Sequence, residues 1–330
     1  MNTPPRMHAA FIRRQGGVEE IEYGELPLRR PGPTDVLVRM LASAVNHVDL
    51  HVRSGAYPTH TPFPFVIGRD LVGVVAETGA GVDAFRPGDR VWTNSLGHHG
   101  RQGAFAEYAV VGDERLYPLP EGADTEQAAA LLHAAGTAWL GLVREAALRA
   151  GETILVEGAG GAVGSAITQM ASRMGARVIA TASPADEAWV RSCGAERVLD
   201  YHQPDRYAQV RAVAPEGIDV WWDNSGRNDF AQCLPLMAMG GRVVVMSGLR
   251  SNSPVLPVGA LYTRDIRLHG FAISNASTGD LAAAARAINR LLAAGQLRAR
   301  VGARFRLADA AEAHAALAAG KLAGRIVVVP

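Results

Sequence analysis

The segment NHVDLHVRSGAYP, residues 46–58, carries side chains that could bind a metal or move a proton. On a helix His47 and His51 would share one face, and such a pair is typical of metal ligands. Asn46 could instead hydrogen-bond a substrate carbonyl or the ribose of a cofactor, or close an Asx turn. Tyr57 could be a proton donor or a packed aromatic with a satisfied hydroxyl. The segment alone leaves a metal site and a metal-free site open.

A second segment, ILVEGAGGAVGSAITQMASRMGARVIAT at 154–181, favours a dinucleotide site. A buried strand leads into glycines, the glycines open an amphipathic helix, and a second strand follows, which is the context of a dinucleotide fingerprint. Val163 excludes the pattern G-x-G-x-x-G, so the glycines fit G-x-x-G-x-x-G through Gly158, Gly161 and Gly164. Such a loop lets the backbone approach a pyrophosphate at the helix N-terminus. The alternative is a tight turn that binds nothing.

The end of the second strand bears on which nicotinamide dinucleotide binds. NAD sites usually place Asp or Glu there to hold the ribose hydroxyls. Here Ala182 and Ser183 occupy that place, and Ser183 can donate a hydrogen bond to the 2′-phosphate of NADPH. The sequence therefore predicts NADPH rather than NADH, although Asp186 and Glu187 just downstream weaken the case.

Composition limits the classes of protein to consider. A chain of 330 residues indicates about two domains. Its 33 basic and 32 acidic residues nearly balance without a basic run, so nothing favours a nucleic-acid or membrane-surface partner. Cys193 and Cys233 are too few for a disulfide framework or a four-cysteine zinc site. Without a secretory signal or an apolar run of about 18 residues, we expect a soluble, cytoplasmic protein.

Three styles of sequence follow one another along the chain. Short apolar runs separated by Gly and Pro fill residues 1–125 and predict a mostly antiparallel β domain. From residue 126 strands alternate with helices, which is typical of a parallel sheet. The predicted strands there are TILVE, RVIAT, RVLDY, IDVWWD and GRVVVMS, and the predicted helices span 164–174, 185–193, 205–213 and 228–239. After residue 266 we expect the strand IRLHGFAI, two alanine-rich helices and a closing strand, GRIVVVP.

Several segments, taken in order, resemble the zinc-free quinone oxidoreductase branch of the medium-chain dehydrogenase/reductase superfamily. They are AVNHVDLHVRSGAYP, PFPFVIGRDLVGVV, FRPGDRV, GAFAEYAVV, AAALLHAAGTAWLGL, the glycine loop and AGKLAGRIVVV. The resemblance covers nearly the whole chain. It implies an α/β plus β fold: a discontinuous GroES-like β domain at 1–125, completed by 266–330, with an inserted Rossmann domain, a doubly wound parallel sheet, at 126–265. It also implies a homodimer.

The resemblance also bears on the metal question. Zinc-dependent relatives have a cysteine at the position of Asn46, a histidine at that of Arg69, and usually a cysteine near His133. Only one of these positions keeps a possible ligand, whereas a catalytic zinc takes three protein ligands. The sequence therefore predicts no metal, and the segment lines the catalytic cleft by resemblance. Its remaining polar residues are interpreted as packing and turn-capping residues: His47, Asp49 and His51.

The predicted site residues follow from residue chemistry and from the resemblance together. The candidates for stabilising the substrate oxygen are Asn46, Tyr57, Arg69 and His133, although a core histidine at a helix start is the simpler interpretation of the last. Asn224 and Ser225 follow a buried strand and should border the cofactor, as strand C-termini do in such sheets. The glycine loop and the end of the second strand give Gly158, Gly161, Gly164 and Ser183 as cofactor contacts. The resemblance adds the others, with Thr137 at the nicotinamide: Asn46, Thr137, Ala162, Val163, Tyr201, Ser247, Phe271 and Arg325.

The predicted activity is reduction of a quinone or an α,β-unsaturated carbonyl by NADPH without zinc. The small-molecule substrate would be the partner, with neither nucleic acid nor membrane involved. Two alternatives stay open. A nucleotide-binding scaffold with little catalysis is possible because relatives in this branch include lens structural proteins. A zinc-dependent alcohol dehydrogenase is disfavoured by the missing ligands.

Overall fold

The computed structural model describes residues 3–249 and 253–330. The chain divides into two compact units: unit 1 is Met1–His133 with Ala276–Pro330, and unit 2 is Ala134–Asn275. The sequence predicts divisions at 125/126 and 265/266, which lie eight and ten residues earlier than those of the structure. The strand Arg267–Gly270, which the prediction assigned to the β domain, belongs to the sheet of unit 2. Unit 1 is thus built from two separated stretches of chain, and unit 2 from one.

The strands, in chain order, are β1 Arg6–Ile12, β2 Glu22–Pro27, β3 Asp35–Ala44, β4 Phe65–Val66, β5 Leu71–Thr78, β6 Arg90–Thr93, β7 Tyr108–Gly112, β8 Tyr117–Pro118, β9 Thr153–Glu157, β10 Arg177–Ala182, β11 Arg197–Asp200, β12 Ile218–Asp223, β13 Met237–Val245, β14 Arg267–Gly270, β15 Val301–Arg306 and β16 Arg325–Val329. The helices are α1 His47–Ser54, α2 Thr125–Trp139, α3 Ala162–Arg173, α4 Glu187–Ser192, α5 Arg206–Val213, α6 Phe230–Cys233, α7 Val258–Tyr262, α8 Thr278–Ala293 and α9 Ala310–Ala319. A π-helical turn, Leu140–Glu145, follows α2.

Unit 1 is a mostly antiparallel β structure, as the sequence predicts. One sheet has the order β15-β16-β3-β5-β6-β8, with β7 also paired to β3, and a second has the order β2-β1-β4. β3 is long and largely buried, and its run DVLVRMLASA supplies apolar side chains to the core on alternate positions. The late strand β16 pairs with β3 through Val327–Ala44 and Val328–Ser43. Residues from both ends of the chain therefore build one core.

Unit 2 is a parallel sheet of the order β11-β10-β9-β12-β13-β14. This order, with β9 leading outward in both directions, is that of a Rossmann fold, whose ligands bind at the carboxyl ends of the strands. Trp221 and Trp222 point to opposite faces of β12. Trp221 packs in the core with Tyr207, and Trp222 packs against Gly141 and Phe271.

The helix predicted at 228–239 is wrong in its second half. α6 covers only Phe230–Cys233, a 3₁₀ turn follows at Leu234–Leu236, and β13 begins at Met237. Pro235 lacks the backbone N–H that a continuing helix needs, and its ring clashes with the preceding turn. The other predicted helices of unit 2 agree with α3, α4 and α5 to within a few residues.

Candidate functional site

The glycine loop of unit 2 joins β9 to α3 and is shaped by its glycines. Gly158 has a φ of +67°, a left-handed conformation that favours glycine, and its N–H donates to the Thr181 hydroxyl at 3.2 Å. Gly161 is the N-cap of α3. A Cβ at Gly164 would lie 2.4 Å from the Gly158 carbonyl oxygen, so only glycine lets α3 approach the loop this closely. The loop thus fits the pyrophosphate of a dinucleotide at the N-terminus of α3.

Other predicted cofactor residues of unit 2 follow the carboxyl ends of its strands, as expected for a Rossmann site. Asn224 follows β12 and donates through Nδ2 to the Glu157 carbonyl at 2.9 Å, so it holds the start of the glycine loop. Thr137 is fully buried in α2. The remaining ones occupy the first turn of α3 or lie near the ends of β10, β11, β13 and β14: Ala162, Val163, Ser183, Tyr201, Ser225, Ser247 and Phe271.

Two carboxyl groups, the buried Asp223 and the partly buried Glu157, end the central strands beside the loop. Asp223 accepts hydrogen bonds from the backbone N–H groups of Ser225 at 2.5 Å and Asn228 at 2.7 Å, and so folds the turn after β12. Glu157 accepts from the Trp221 indole N–H at 3.2 Å. Burial raises the pKa of Glu157 to about 7, and the charge of Asp223 acts in the same direction. No sequence pattern singles out either residue.

Unit 1 contains a buried polar cluster, which consists of Asn46, Asp49, Arg69, Asp70 and Arg325. Asn46 stands at its centre: Nδ2 donates to Asp70 Oδ2 at 2.9 Å, and Oδ1 accepts from Arg325 Nη2 at 2.7 Å. The Asn46 backbone N–H donates to Asp49 Oδ2 at 2.8 Å, which caps α1. The capping role predicted for Asp49 is confirmed. The Asn46 amide, predicted to face substrate or ribose, instead links the Asp70 carboxylate to the Arg325 guanidinium.

The charges of the cluster are close to balance. Burial raises the pKa of Asp49 to about 6 and that of Asp70 to about 7, although the Arg69 and Arg325 cations oppose both shifts. Burial also lowers the pKa values of the two guanidinium groups, against the attraction of the two carboxylates. The predicted cofactor contact Arg325 is only 8% exposed and also donates through Nε to the Ala130 carbonyl at 2.9 Å.

The remaining candidates of unit 1 differ in accessibility and charge. Arg69 is 1% exposed and interacts electrostatically with Asp49, Tyr57 and Asp70. Tyr57 is partly exposed, and its ring lies 5.6 Å from the buried His98 imidazole. Burial lowers the pKa of His98 to about 3 and that of His133 well below 6.5, so both imidazoles are neutral at physiological pH. Unit 1 therefore offers a phenol, a neutral imidazole and a nearby guanidinium.

Comparison with known proteins places these features in a family. The model of the alcohol dehydrogenase GroES-like domain matches residues 32–121, and that of zinc-binding dehydrogenases matches residues 162–290. A quinone oxidoreductase of Pseudomonas aeruginosa is 33% identical over 325 residues, 96% of this chain and 97% of that protein. The chain belongs to the quinone oxidoreductase branch of the medium-chain dehydrogenase/reductase superfamily. It is an oxidoreductase enzyme.

Solved structures of this superfamily share the fold of the oxidoreductase. A structure described as an NAD-dependent alcohol dehydrogenase has a TM-score of 0.88 and 33% identity, and it covers 98% of this chain and 100% of that one. A mycobacterial protein complexed with NADPH has a TM-score of 0.86 and 28% identity, and the match covers 98% of this chain and 100% of that one. Together these likenesses support a nicotinamide cofactor.

Zinc, which the name of the second family model implies, does not fit the residues of this oxidoreductase. By the resemblance, Arg69 is at a position where zinc-dependent relatives have a ligand, and a guanidinium is not a zinc ligand. The Asn46 amide is engaged with Asp70 and Arg325. Within residues 3–249 and 253–330, no three His, Cys, Asp or Glu side chains group as metal ligands.

None of the helices in the same ranges is long and apolar enough to cross a membrane.

Proposed function

We propose that this oxidoreductase reduces a quinone or an α,β-unsaturated carbonyl with a nicotinamide cofactor and without zinc. One observation carries the proposal: Asn46 and Arg69, at positions where the resemblance implies zinc ligands in zinc-dependent relatives, belong to the buried polar cluster. The substrate oxygen must then be activated by hydrogen bonds and by fixed charge rather than by a Lewis acid.

The nicotinamide supplies a hydride when the dinucleotide is bound, and negative charge then collects on the carbonyl oxygen. Tyr57 is the best donor to that oxygen because its phenol is partly exposed, whereas Asn46 is engaged at both ends of its amide. The Arg69 cation interacts with the Tyr57 hydroxyl and so brings positive charge near the developing oxyanion. His133 stays neutral and could act only through an imidazole N–H.

NADPH is the cofactor that the sequence predicts, because no acidic residue stands at Ala182 or Ser183. The mycobacterial relative that was solved with NADPH supports this prediction. The relative described as NAD-dependent supports the other dinucleotide. We propose a nicotinamide dinucleotide at the glycine loop, and the choice between the two depends on residues near the end of β10.

We also propose a cytoplasmic homodimer that associates through the β14 edge of unit 2. In the described part of the chain, β14 pairs with β13 and with no strand on its other side. Large exposed apolar side chains occur on these strands and on α7: Met239, Val258, Tyr262 and Leu268. An apolar sheet edge readily pairs with another chain. Light scattering should show a dimer for wild type and a shift towards monomer for Leu268→Glu. A monomeric wild type would contradict the proposal.

The decisive experiment is a screen of nicotinamide oxidation across simple quinones, enones and enoyl thioesters. Tyr57→Phe removes the phenol oxygen and keeps the ring, so it separates proton donation from packing. We expect kcat to fall at least tenfold with little change in substrate KM, because losing one oxyanion donor typically costs about 2.7–4 kcal/mol.

Tyr23→Phe is the matched control, since Tyr23 is an exposed tyrosine on β2. Turnover of the control should equal that of wild type. Unchanged kcat in Tyr57→Phe with a raised KM would make Tyr57 a pocket wall. Binding of a dinucleotide without turnover on any of the three substrate classes would favour the scaffold alternative.

A further inference from the structure

A carboxylate lies against the glycine loop of unit 2, although the sequence at the end of β10 lacks one. β10 ends at Ala182, and a 3₁₀ turn, Pro184–Asp186, follows it. The turn is closed by the Asp186 N–H, which donates to the Ser183 carbonyl at 3.0 Å. The Ser183 hydroxyl donates to Asp186 Oδ2 at 2.9 Å. The turn therefore brings an acidic side chain back to the place where NAD sites usually carry one.

Gly160 shows how close this carboxylate comes to the loop. A Cβ built on Gly160 would lie 2.7 Å from Asp186 Oδ2, 2.8 Å from its Cγ and 2.9 Å from its Cβ. Contacts this short do not occur between real atoms of these kinds, so any other residue at 160 would displace Asp186. Gly160 is outside the G-x-x-G-x-x-G pattern, and room for this carboxylate gives a physical reason for a glycine there.

We infer that Asp186 is the cofactor-specificity residue of this enzyme and that it selects NADH. The inference rests on the proposed dinucleotide site and names its preferred ligand. A carboxylate beside the loop accepts hydrogen bonds from the ribose hydroxyls of the adenosine half. The same charge repels a 2′-phosphate, which carries about −1.5 to −2 charges. Ser183, on which the NADPH prediction depends, donates to Asp186 and orients it.

Glu187 provides an internal contrast one residue away. Its carboxylate forms an i,i+4 ion pair with Arg191 along α4, with Oε1 at 2.8 Å from Nη2. Its carboxylate is therefore directed along α4, towards Arg191. Both residues are carboxylates, but Asp186 lies against the glycine loop and Glu187 pairs with Arg191. Only Asp186 should therefore discriminate between the dinucleotides.

Equilibrium binding tests this inference without requiring turnover. Calorimetric titration with NADH, NADPH, 5′-AMP and adenosine 2′,5′-bisphosphate should show that wild type binds NADH at least tenfold more tightly than NADPH. The two adenosine nucleotides should show the same order. In Asp186→Ser the NADH:NADPH affinity ratio should fall at least tenfold, whereas Glu187→Gln should keep it within about threefold.

Asp186→Asn guards against a folding defect, since it keeps an oxygen for the Ser183 hydroxyl and removes only the charge. The NADH:NADPH affinity ratio of Asp186→Asn should also fall. Tighter binding of NADPH by wild type, or an unchanged ratio in both Asp186 variants, would overturn the inference. Normal dinucleotide binding without reduction of any quinone or enone would instead refute the proposed function and leave the role of Asp186 intact. Failure of all four nucleotides to bind would refute both.

Discussion

The partly buried Glu157 at the end of β9 should make stability depend on pH in a way that one substitution isolates. Glu157→Gln keeps an oxygen that can accept from the Trp221 indole N–H, but it cannot ionise. Burial raises the pKa of Glu157 from 4.5 to about 7, and the neighbouring Asp223 adds to the shift. The native protein therefore holds a proton on Glu157 over a pH range in which the unfolded chain has already released it.

The sign and the size of the effect follow from this difference in pKa. A group whose pKa is raised by folding stabilises the native state fully below the unfolded value, and this contribution is lost as pH rises through the folded value. The shift from 4.5 to about 7 corresponds to about 3 kcal/mol at 1.36 kcal/mol per pKa unit. Between pH 4 and pH 8, Glu157→Gln should therefore gain up to about 3 kcal/mol of unfolding free energy relative to wild type.

Urea unfolding of both proteins at each pH measures this difference. The comparison of the two proteins is needed because His98 and His314 change stability with pH in the opposite direction. Burial lowers the pKa of each to about 3, so the native state loses stability relative to the unfolded chain as pH falls. Both histidines are present in both proteins and cancel. Glu216→Gln, at an exposed carboxylate of unit 2, is the control and should give a flat difference. A flat difference for Glu157→Gln as well would refute the raised pKa of Glu157.

Further predictions concern the glycine loop and the metal. Gly164→Ala should weaken dinucleotide binding at least tenfold in calorimetry, because its Cβ would lie 2.4 Å from the Gly158 carbonyl oxygen; Gly259→Ala, where a Cβ meets no atom within 4 Å, should bind normally. Equal affinities for the two variants would contradict this account of the loop. The purified enzyme should contain no stoichiometric zinc by elemental analysis and should keep its activity after chelation, whereas about one tightly bound zinc per chain would show that the interpretation of Asn46 and Arg69 is wrong.

Local patterns predicted the parts of the fold whose causes are local. The glycine loop placed α3 within two residues of its observed start, because a buried strand, three glycines and an amphipathic helix are all visible within 154–181. The alternation of strands and helices likewise gave the parallel sheet of unit 2. The helix predicted at 228–239 is too long because Pro235 ends the helical segment just before β13.

The site was less predictable because its contacts join distant residues. No spacing rule links Asn46 to Arg325, which are 279 residues apart, or brings Asp70 to the same amide. In the sequence Asp186 is only a charge that weakens the NADPH prediction, since its contact with the loop depends on the turn Pro184–Asp186. The one available signal was Gly160, a glycine that the dinucleotide pattern does not require.

The pairing of β16 with β3 has a consequence for how the protein is made. Unit 2 is contiguous, so its sheet can be completed once β14 has left the ribosome. The sheet of unit 1 cannot be completed until β16 and Arg325, the partner of Asn46, have been synthesised. At about 5–20 residues per second, the interval between residues 133 and 325 lasts about 10–40 seconds. During that time β3 is not yet paired with β16, and part of its apolar surface is uncovered. We therefore expect chaperones to bind the nascent N-terminal segment.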